Sequence, residues 1–501
     1  MIGYINRQFS DTLKFCFITI FIFCSSLLKA QKSNVQSLIF NQSRDSVTIA
    51  ANSSYLKASF LRKALMGRNY RKEWAEPVSM PLFNIKNQGF TPKEKGGGQQ
   101  TTSLNMVDEK GRNWVLRSVD KKVKDVALPK NLRFPLAIKF LQEMISASHP
   151  YAAIPVGLLA QASGIAAPRP ELYFVPDDPN LGEFRNFISN TICFLEQKEP
   201  TPDGSETEET DKVMEEIIEE NDHLVLQEQV LKARLLDMFV ADWDRHEGQW
   251  RWGSFKSGSE KYYYAIPRDR DQAFYQTDGL LPNFIKIFGM KHISNFKNKS
   301  KKLKNLNFKS WSFDKTFLNE LDAATWEKGI KLFVASLPDS VIEKAIKKLP
   351  LEVYAINGKD LSRKLISRRN SLLQNAMKYY AFISGTVHVL GTAESELFEM
   401  SGNDNKLTVN VYRYKEQKRG NKIYERTFYP NETGIVYLNG LEGEDNFVID
   451  EQTTTRIKLK INGGKGSDVY DLKGKMKTTV EDAMKDNNRL LQKGTAKIHF
   501  R

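Results

Sequence analysis

Two acidic clusters contain the side chains of this sequence that are best suited to chemistry. The first cluster follows a predicted helix, and the second follows a predicted pair of strands. Their candidate residues are Asp244, Arg245, His246, Gln249, Asp269 and Asp271. Carboxylate and amide oxygens are ligands that Mg²⁺ accepts, and phosphoryl transfer also needs a carboxylate that orients the acceptor hydroxyl. The clusters therefore favour metal-dependent phosphoryl transfer, with a surface salt-bridge cluster as the alternative.

A glycine-rich stretch upstream provides other parts that phosphoryl transfer needs. Its candidate residues are Gly96, Gly97, Gly98 and Gln99. Two alternating runs at 101–107 and 113–119 follow, and they predict a β-hairpin with Arg117 on its second strand. A flexible loop over the phosphates and a cation from the neighbouring strand suit a nucleotide. A glycine triplet by itself is also typical of an ordinary loop.

Predicted helices and strands position these residues. An amphipathic helix at 132–147 carries Glu143, for which a solvated charge is the plain interpretation. A clearer amphipathic helix at 227–240 ends directly before the first acidic cluster. Two strands on either side of a turn at 256–258 then lead to the second cluster. Each cluster is thus expected at the end of a regular element.

Changes in composition along the chain indicate several segments. Helices and strands alternate up to about residue 383, and short strands separated by Gly, Asn and Asp turns follow; no long internal repeat is visible. The predicted fold class is therefore an α+β body followed by a smaller all-β module. The predicted segments are 1–30 (signal peptide), 31–87 (N-terminal segment), 88–198 (first lobe), 199–222 (acidic linker), 223–383 (second lobe) and 384–501 (β-rich module).

The first thirty residues are typical of an export signal. Basic residues precede an apolar run at 15–28, which is short for a membrane span. Cleavage after Ala30 is favoured, with an uncleaved anchor or lipidation at Cys24 as alternatives. The mature chain then keeps Cys193 as its one cysteine, which excludes an internal disulfide or a cysteine metal site. We therefore expect an exported protein in the periplasm or at the outer membrane.

The charge of the chain limits the classes of partner. The 501 residues carry a formal net charge of +14, and 41% of them are hydrophobic. These values exclude an acidic disordered chain, a collagen-like fibre and a protein with many membrane spans, and they favour an anionic partner. Tryptophans near the first cluster are expected in the core, so phosphate is preferred to nucleic acid. A lysine-rich run at 297–304 is interpreted as a solvated basic loop, with binding of anionic lipid as the alternative.

A glycine-rich turn near the end of the chain resembles a calcium-binding repeat. The segment from Gly463 to Asp468 matches one nonapeptide of the β-roll type. A β-roll needs stacked copies, because successive turns share each Ca²⁺. One good copy therefore favours a tight turn over a calcium site.

The first acidic cluster resembles a known catalytic loop. Asp244-Arg245-His246-x-x-Gln249 is similar to the Asp-Arg-His-x-x-Asn loop of atypical protein-kinase-like families, which include the HipA-type, CotH-type, phosphoinositide and secretory-pathway kinases. The resemblance implies that Asp244 is the catalytic carboxylate. Arg245 and His246 are candidate catalytic residues beside it, and Gln249 takes the position of the metal-binding Asn.

The same resemblance implies a two-lobed kinase-like domain that binds ATP with Mg²⁺ or Mn²⁺. Asp269 corresponds to the second metal-binding Asp, and Asp271 competes with it for that role. Arg117 replaces the usual strand lysine, and Glu143 is its implied partner on a helix. Two departures matter: Gln for Asn weakens the metal-ligand argument, and Arg for Lys changes how a phosphate is held.

A longer resemblance extends over roughly residues 55 to 475. Several phrases are similar to a family of poorly characterised bacterial envelope proteins. They are Tyr70-Arg71-Lys72-Glu73-Trp74, Gly96-Gly97-Gly98-Gln99-Gln100-Thr101, Leu116-Arg117-Ser118-Val119-Asp120-Lys121, His149-Pro150-Tyr151-Ala152 and Asp242-Trp243-Asp244-Arg245-His246. Some members carry an N-terminal metallophosphoesterase, whose motifs this sequence lacks. Many end in an outer-membrane β-barrel, which we expect to be missing here through truncation or by nature.

Three hypotheses about function follow. The leading one is an exported kinase-like enzyme that transfers phosphate from a nucleotide to a hydroxyl. The second is an inactive kinase-shaped module that binds an envelope protein or an outer-membrane barrel. The third is a metal-dependent phosphohydrolase that uses the same carboxylates.

Overall fold

A body of helices and strands extends to Ser384, and strands alone follow it from Thr386. The computed structural model describes residues 45–97, 101–123, 135–288, 290–299, 302–483 and 486–500. The predicted fold class is confirmed: a two-lobed α+β body precedes a smaller all-β module. The predicted signal peptide at 1–30, together with Gly98 and Gln99, lies outside the described residues.

The described part of the body contains three sheets, with two, five and four strands. In chain order the strands are β1 (Ser46–Ala50), β2 (Pro77–Pro81), β3 (Phe90–Gly96), β4 (Ser103–Asp108), β5 (Asn113–Ser118), β6 (Glu171–Val175), β7 (Thr191–Gln197), β8 (Glu208–Glu209), β9 (His223–Val225), β10 (Trp250–Ser257) and β11 (Glu260–Pro267). β1 pairs with β2, β3 to β7 form the sheet of the first lobe, and β8 to β11 form that of the second.

Helices connect these strands and make up most of the second lobe. In chain order they are α1 (Phe60–Met66), α2 (Arg71–Ala75), α3 (Pro135–Met144), α4 (Ala153–Ala162), α5 (Arg185–Ile188), α6 (Thr210–Glu219), α7 (Gln227–Val240), α8 (Leu280–Phe288), α9 (Leu303–Leu306), α10 (Trp311–Phe317), α11 (Ala323–Ser336), α12 (Asp339–Ile346), α13 (Leu351–Val353), α14 (Lys359–Asn370) and α15 (Leu372–Ser384). The helix predicted at 227–240 has those bounds, and the predicted hairpin is found as β4 and β5.

The alternation of side chains on the first-lobe sheet determines which face of the sheet carries Arg117. The strands run antiparallel in the order β3-β4-β5-β7-β6. Leu104, Leu116 and Leu195 stand in one row and are buried in the core of this lobe. Neighbouring residues on a strand point to opposite faces. The next row, which contains Arg117 and Phe194, therefore faces the second lobe.

Helix α7 lies at the centre of the second lobe and delivers the first acidic cluster. Its residues from Val230 onward are buried on nearly every side, as expected of a helix surrounded by other elements. The helix ends because Ala241 takes a left-handed conformation, with φ 58° and ψ 42°. The chain turns sharply there, and residues 242–249 continue across the end of the helix.

The segment at 199–222, which was expected to be a solvated acidic linker that runs into a helix, contains β8 and α6. Val213 of α6 is fully buried, and Ile217 packs against the main core. Glu216 lies 2.6 Å from the Nζ atom of Lys261 on β11. The numerous glutamates concealed an apolar stripe, and several of them pair with lysines of the same lobe.

The all-β module consists of two stacked sheets whose later strands are mostly parallel. Its strands are β12 (Thr386–Leu390), β13 (Glu396–Asn403), β14 (Lys406–Lys415), β15 (Lys418–Phe428), β16 (Ile435–Glu442), β17 (Asn446–Ile449), β18 (Lys458–Lys465), β19 (Val469–Leu472), β20 (Thr478–Asp482), β21 (Arg489–Gln492) and β22 (Lys497–Phe500). The sheets have the orders β12-β16-β18-β20-β22 and β15-β14-β13-β17-β19-β21. They enclose a separate apolar core.

A column of side chains connects successive turns of this module. The backbone N–H of Glu396 donates to Oδ1 of Asp445 at 2.8 Å, and the N–H of Asp445 donates to Oδ1 of Asp468 at 2.9 Å. The N–H of Asp468 donates in turn to Oδ1 of Asn488. The turn from Gly463 to Asp468 is therefore one step of a stacked repeat, although no long repeat was visible in the sequence.

No helix in the described ranges is long and apolar enough to span a bilayer.

The column makes the stability of the module depend on pH. Burial raises the pKa of Asp445 to about 9, and Glu396 and Asp468 add to the rise. The stabilising contribution of protonated Asp445 is complete below the ordinary aspartate pKa of about 3.9 and is lost as the pH rises through about 9. Asp445→Asn keeps an acceptor oxygen and removes the ionisable group. We expect its stability relative to wild type to increase from pH 4 to pH 9 in urea unfolding.

Asp450→Asn is the matched control, because Asp450 is exposed in the same module. It should follow the wild-type pH dependence. A difference between Asp445→Asn and wild type that stays constant with pH would contradict this account.

Candidate functional site

Arg117 joins the two lobes through an ion pair with the second acidic cluster. Its Nη1 atom lies 2.5 Å from Oδ1 of Asp269, and its Nε atom lies 3.4 Å from Glu196 on β7. Burial alone raises the pKa of Asp269, but Arg117 and Lys121 outweigh burial and hold that pKa below its ordinary value. Asp269 is therefore ionised at neutral pH. It has a positive φ of 55°, which fixes the direction of the turn.

A second ion pair between the lobes joins Lys121 and Asp271. Burial, the largest influence, lowers the pKa of Lys121; Asp269 opposes this change and Arg117 adds to it. The sequence did not single out Lys121, because this residue lies beyond the end of β5. Outside a strand, the alternation of side chains no longer predicts which face a side chain points to. The position of Lys121, four residues after Arg117, was the available signal.

Asp244 faces a lysine from a distant part of the second lobe. Its Oδ1 atom pairs with Nζ of Lys309, which also lies 5.2 Å from the ring centroid of Trp243. His246 lies two residues later on the same turn. Partial burial lowers the pKa of His246, Asp244 opposes this shift, and Lys309 adds to it. His246 is therefore neutral at physiological pH.

Arg245 is buried beneath the site and positions both acidic clusters. Its Nη1 atom donates to Oε1 of Gln249 at 2.8 Å and to the carbonyl oxygen of Asp269 at 3.1 Å. The guanidinium group also lies over the ring of Trp250. With 1% of its side chain exposed, Arg245 has no access to a substrate. The amide oxygen of Gln249, the candidate metal ligand, is directed to Arg245.

The carboxylate of Asp237, near the end of α7, is the centre of a buried charge network. Arg245 from the first cluster and Arg270 from the second both pair with it. Arg234 also lies 2.5 Å from Asp237 and 2.6 Å from Asp314 of α10. One carboxylate thus connects both acidic turns to the helical core.

Asp242 lies beside this network. Burial raises the pKa of Asp242 to about 7, Arg245 opposes the rise, and Asp244 adds to it. Its Oδ1 atom accepts the backbone N–H of Asp244 at 3.3 Å. Asp242 therefore orients the start of the first acidic turn from a buried position.

Glu143 has a different partner from the one that the kinase resemblance implied. Its Oε2 atom lies 2.7 Å from Nη2 of Arg71, and Arg62 pairs with its other oxygen. Arg117, the expected partner, pairs with Asp269 and Glu196 instead. A buried carboxylate needs compensation by nearby charge, and α1 and α2 place two guanidinium groups beside α3.

The described part of the glycine-rich stretch lies at the same end of the sheet as Arg117. Gly96 is opposite Ser103, which is opposite Arg117, so two strand spacings or about 10 Å separate Gly96 from Arg117. Gly97 has a φ of +103°, and a Cβ there would lie 2.2 Å from the carbonyl oxygen of Thr101. The backbone conformation therefore requires glycine at position 97, whether or not this stretch binds a ligand.

A cavity of about 440 Å³ lies where the two lobes meet. Arg117 and Lys121 line it from the first lobe, and Asp244 and Asp271 line it from the second. Asp269 lines a smaller cavity that shares Arg117 with the larger one. The structure thus brings one carboxylate from each acidic cluster to a common space with two cations.

A metal site is not preformed in the part of the chain that is described. No group of three His, Cys, Asp or Glu side chains there is arranged to hold a metal ion. Asp244, Asp269 and Asp271 are each paired with a protein cation instead. These carboxylates become available to a metal only if another anion takes over their cations.

Comparison with known proteins gives neither a matching family model nor a matching curated protein. Solved structures that resemble the chain include three kinases, each 11% identical to it. The proinflammatory kinase CtkA of Helicobacter pylori aligns over 60% of this chain and 99% of its own, with a TM-score of 0.33. The Rio2 kinase of Chaetomium thermophilum, in a complex with ADP, Mg²⁺ and phosphoaspartate, aligns over 64% and 84%, with a TM-score of 0.29. The Golgi casein kinase aligns over 70% and 93%, with a TM-score of 0.23.

TM-scores below 0.5 do not define corresponding residues. The roles proposed below therefore depend on the contacts within this chain alone.

The buried network predicts a large loss of stability for Arg234→Met. The change leaves Asp314 and part of the charge on Asp237 without compensation, and we expect it to cost about 3–5 kcal/mol of unfolding free energy. Arg363→Met is the control, because Arg363 is mostly exposed and forms an ion pair with Asp360 on the same helix; it should cost less than about 1 kcal/mol. Equal costs for both variants in urea unfolding would contradict a structural role for the network.

Proposed function

We propose that the cleft between the lobes transfers a phosphoryl group from a nucleoside triphosphate to a hydroxyl group. The observation that carries this proposal is the shared cavity, which Arg117, Lys121, Asp244 and Asp271 line together. Two cations suit the phosphates, one carboxylate suits the acceptor hydroxyl, and one suits a metal ion.

The ion pairs in the cleft match the charges of a metal-bound triphosphate. Phosphate oxygens would take over Lys121 from Asp271, and the released Asp271 would then face a divalent cation. Arg117 has five N–H donors, so it would contact the phosphates while it keeps its pair with Asp269. The donor set therefore fits a metal–polyphosphate complex better than a bare metal ion.

Asp271 is the preferred metal ligand, because it lines the same cavity as Asp244. Bound Mg²⁺ or Mn²⁺ would neutralise the phosphate oxygens. Asp269, which lines the smaller cavity and pairs with Arg117, would hold the cation-bearing strand against the second lobe. This assignment reverses the preference that the sequence resemblance implied.

Asp244 would orient the acceptor and accept its proton. The hydroxyl oxygen forms a bond to the γ-phosphorus, the bond from that phosphorus to the bridging oxygen breaks, and nucleoside diphosphate leaves. The hydroxyl proton moves to the carboxylate of Asp244. Lys309, now paired with Asp244, would have to release it for this role. Arg245 has no part in this step except to position the two turns.

A second candidate function is an inactive kinase-shaped binding module. The specific observation in its favour is Gln249, whose amide oxygen accepts from buried Arg245 and is directed away from a metal role. Export, which the first thirty residues predict, would also separate the chain from cytoplasmic ATP. In this case the cleft binds a ligand or an envelope partner without turnover.

The test compares nucleotide binding with phosphoryl transfer. Mn-ATP should raise the melting temperature of wild type and of Asp244→Asn, because Asp244 contacts the acceptor and not the donor. Transfer of the γ-phosphate to a hydroxyl acceptor or to water should fall about 10²-fold or more in Asp244→Asn. Arg117→Met should weaken nucleotide binding, whereas Glu247→Gln, an exposed change on the same turn, should leave both unchanged.

The two metal candidates are separated by a matched pair of variants. Asp271→Asn should remove the Mn²⁺ dependence of nucleotide binding, and Asp269→Asn should mainly lower stability. Nucleotide binding without any turnover would favour the inactive module. Absence of a nucleotide shift in wild type would contradict the proposed phosphoryl transfer.

A further inference from the structure

Much of the cavity wall away from its four charged residues is apolar. Ser118, Ser148, His149 and Gln272 add polar groups to the lining, and one side of the cavity is apolar. That side includes Phe140, Leu141 and Met144 of α3, Pro282 and Ile285 of α8, and Ile293 from the segment after α8. Pockets of this volume and character bind apolar groups, and flexible methionines let such a wall adapt to different chains.

Helix α8 is apolar on two opposite sides. Pro282 and Ile285 face the cavity, whereas Leu280 and Ile287 are each 68% exposed. At 100° per residue, these two pairs lie on opposite sides of a helix. A helix with apolar residues on two opposite sides normally has both of those sides covered. The exposed side therefore indicates an apolar environment outside the protein.

Basic residues lie on this helix and in the segment that follows it, and their charge favours an anionic partner. Lys286 lies on α8 itself, and proximity of Lys297 contributes to the lowering of its pKa to about 8, after the larger effect of burial. Further exposed lysines follow at Lys291, Lys299 and Lys302. Apolar residues flanked by lysines are the pattern by which amphipathic helices bind anionic membrane surfaces.

We propose that α8 and its lysines dock on an anionic lipid bilayer and that the cavity receives the apolar chain of a lipid whose hydroxyl group reaches Asp244. This inference rests on the proposed phosphoryl transfer for its chemistry and names the acceptor class of that reaction. The product would be a phosphorylated lipid, and the leaving group would be nucleoside diphosphate.

The docking step is tested by sedimentation of the full chain with vesicles. Wild type should bind phosphatidylglycerol vesicles and not phosphatidylcholine vesicles. The double change Leu280→Glu with Ile287→Glu should weaken this binding by about tenfold or more, since it withdraws two apolar side chains from the bilayer. Leu351→Glu, which alters a side chain that is 78% exposed on α13, should bind like wild type. Equal binding by all variants, or a dimer that buries α8 in solution, would overturn the docking surface.

The cavity is tested separately with dodecan-1-ol, which should displace a fluorescent anilinonaphthalene sulfonate probe, whereas butan-1-ol should not. Ile285→Trp fills the cavity and should abolish this displacement while Mn-ATP still raises the melting temperature. Met144→Trp, on another element, repeats the test if the first variant does not fold. If a variant loses both the displacement by dodecan-1-ol and the melting-temperature shift with Mn-ATP, the cavity is a nucleoside pocket and the proposal is overturned. Unchanged dodecanol binding in both variants would overturn it too.

Failure of the lipid inference and failure of the proposed function give different results. If dodecanol and vesicles bind but no nucleotide does, phosphoryl transfer is wrong and lipid binding stands. If Mn-ATP binds and turns over but neither dodecanol nor vesicles bind, the lipid inference alone is wrong.

Discussion

One buried carboxylate holds the candidate site together. Asp237 pairs with Arg245 from the first acidic turn and with Arg270 from the second, so two turns that are distant in sequence are fixed against the end of a single helix. Burial of such a group costs free energy unless each charge has a partner. The network of arginines around Asp237 provides those partners and leaves Asp244 and Asp271 facing outward into the cleft.

The cleft itself is organised by charge pairing between the lobes. Arg117 and Lys121 come from the first lobe, and their partners Asp269 and Asp271 come from the second. A polyanion that carries its own divalent cation can compete with these pairs, because its anionic groups bind the protein cations and its metal binds a released carboxylate. The pairs therefore account for the contact between the lobes. They also indicate the kind of ligand that would open the cleft.

The apolar wall and the lysine-flanked helix add a second physical requirement. The far wall of the cavity is built from Met144, Ile285 and their neighbours. An amphiphile suits this wall and the charged residues together, because it combines a polar end with an apolar chain. A bilayer that supplies the amphiphile would also cover Ile287, which is exposed on α8.

Much of this arrangement was predictable from the sequence, and the remainder depended on distant contacts. The periodicity of residues 227–240 predicted α7, and Asp244 and Asp271 follow regular elements as expected. The partner of Glu143 was not predictable, because Arg71 lies 72 residues earlier in the chain. Periodicity also missed the stacking within the β-rich module, since the aligned residues Val436, Leu459 and Thr478 are unequally spaced in the sequence.

The most direct measurement is the anomalous diffraction of crystals soaked with Mn²⁺ and a non-hydrolysable ATP analogue. The account predicts a manganese peak bonded to Asp271, with phosphate oxygens on Arg117 and Lys121 and with the apolar part of the cavity still free of the nucleoside. A manganese peak away from both acidic clusters, or an unbroken Lys121–Asp271 pair with no bound nucleotide, would contradict it.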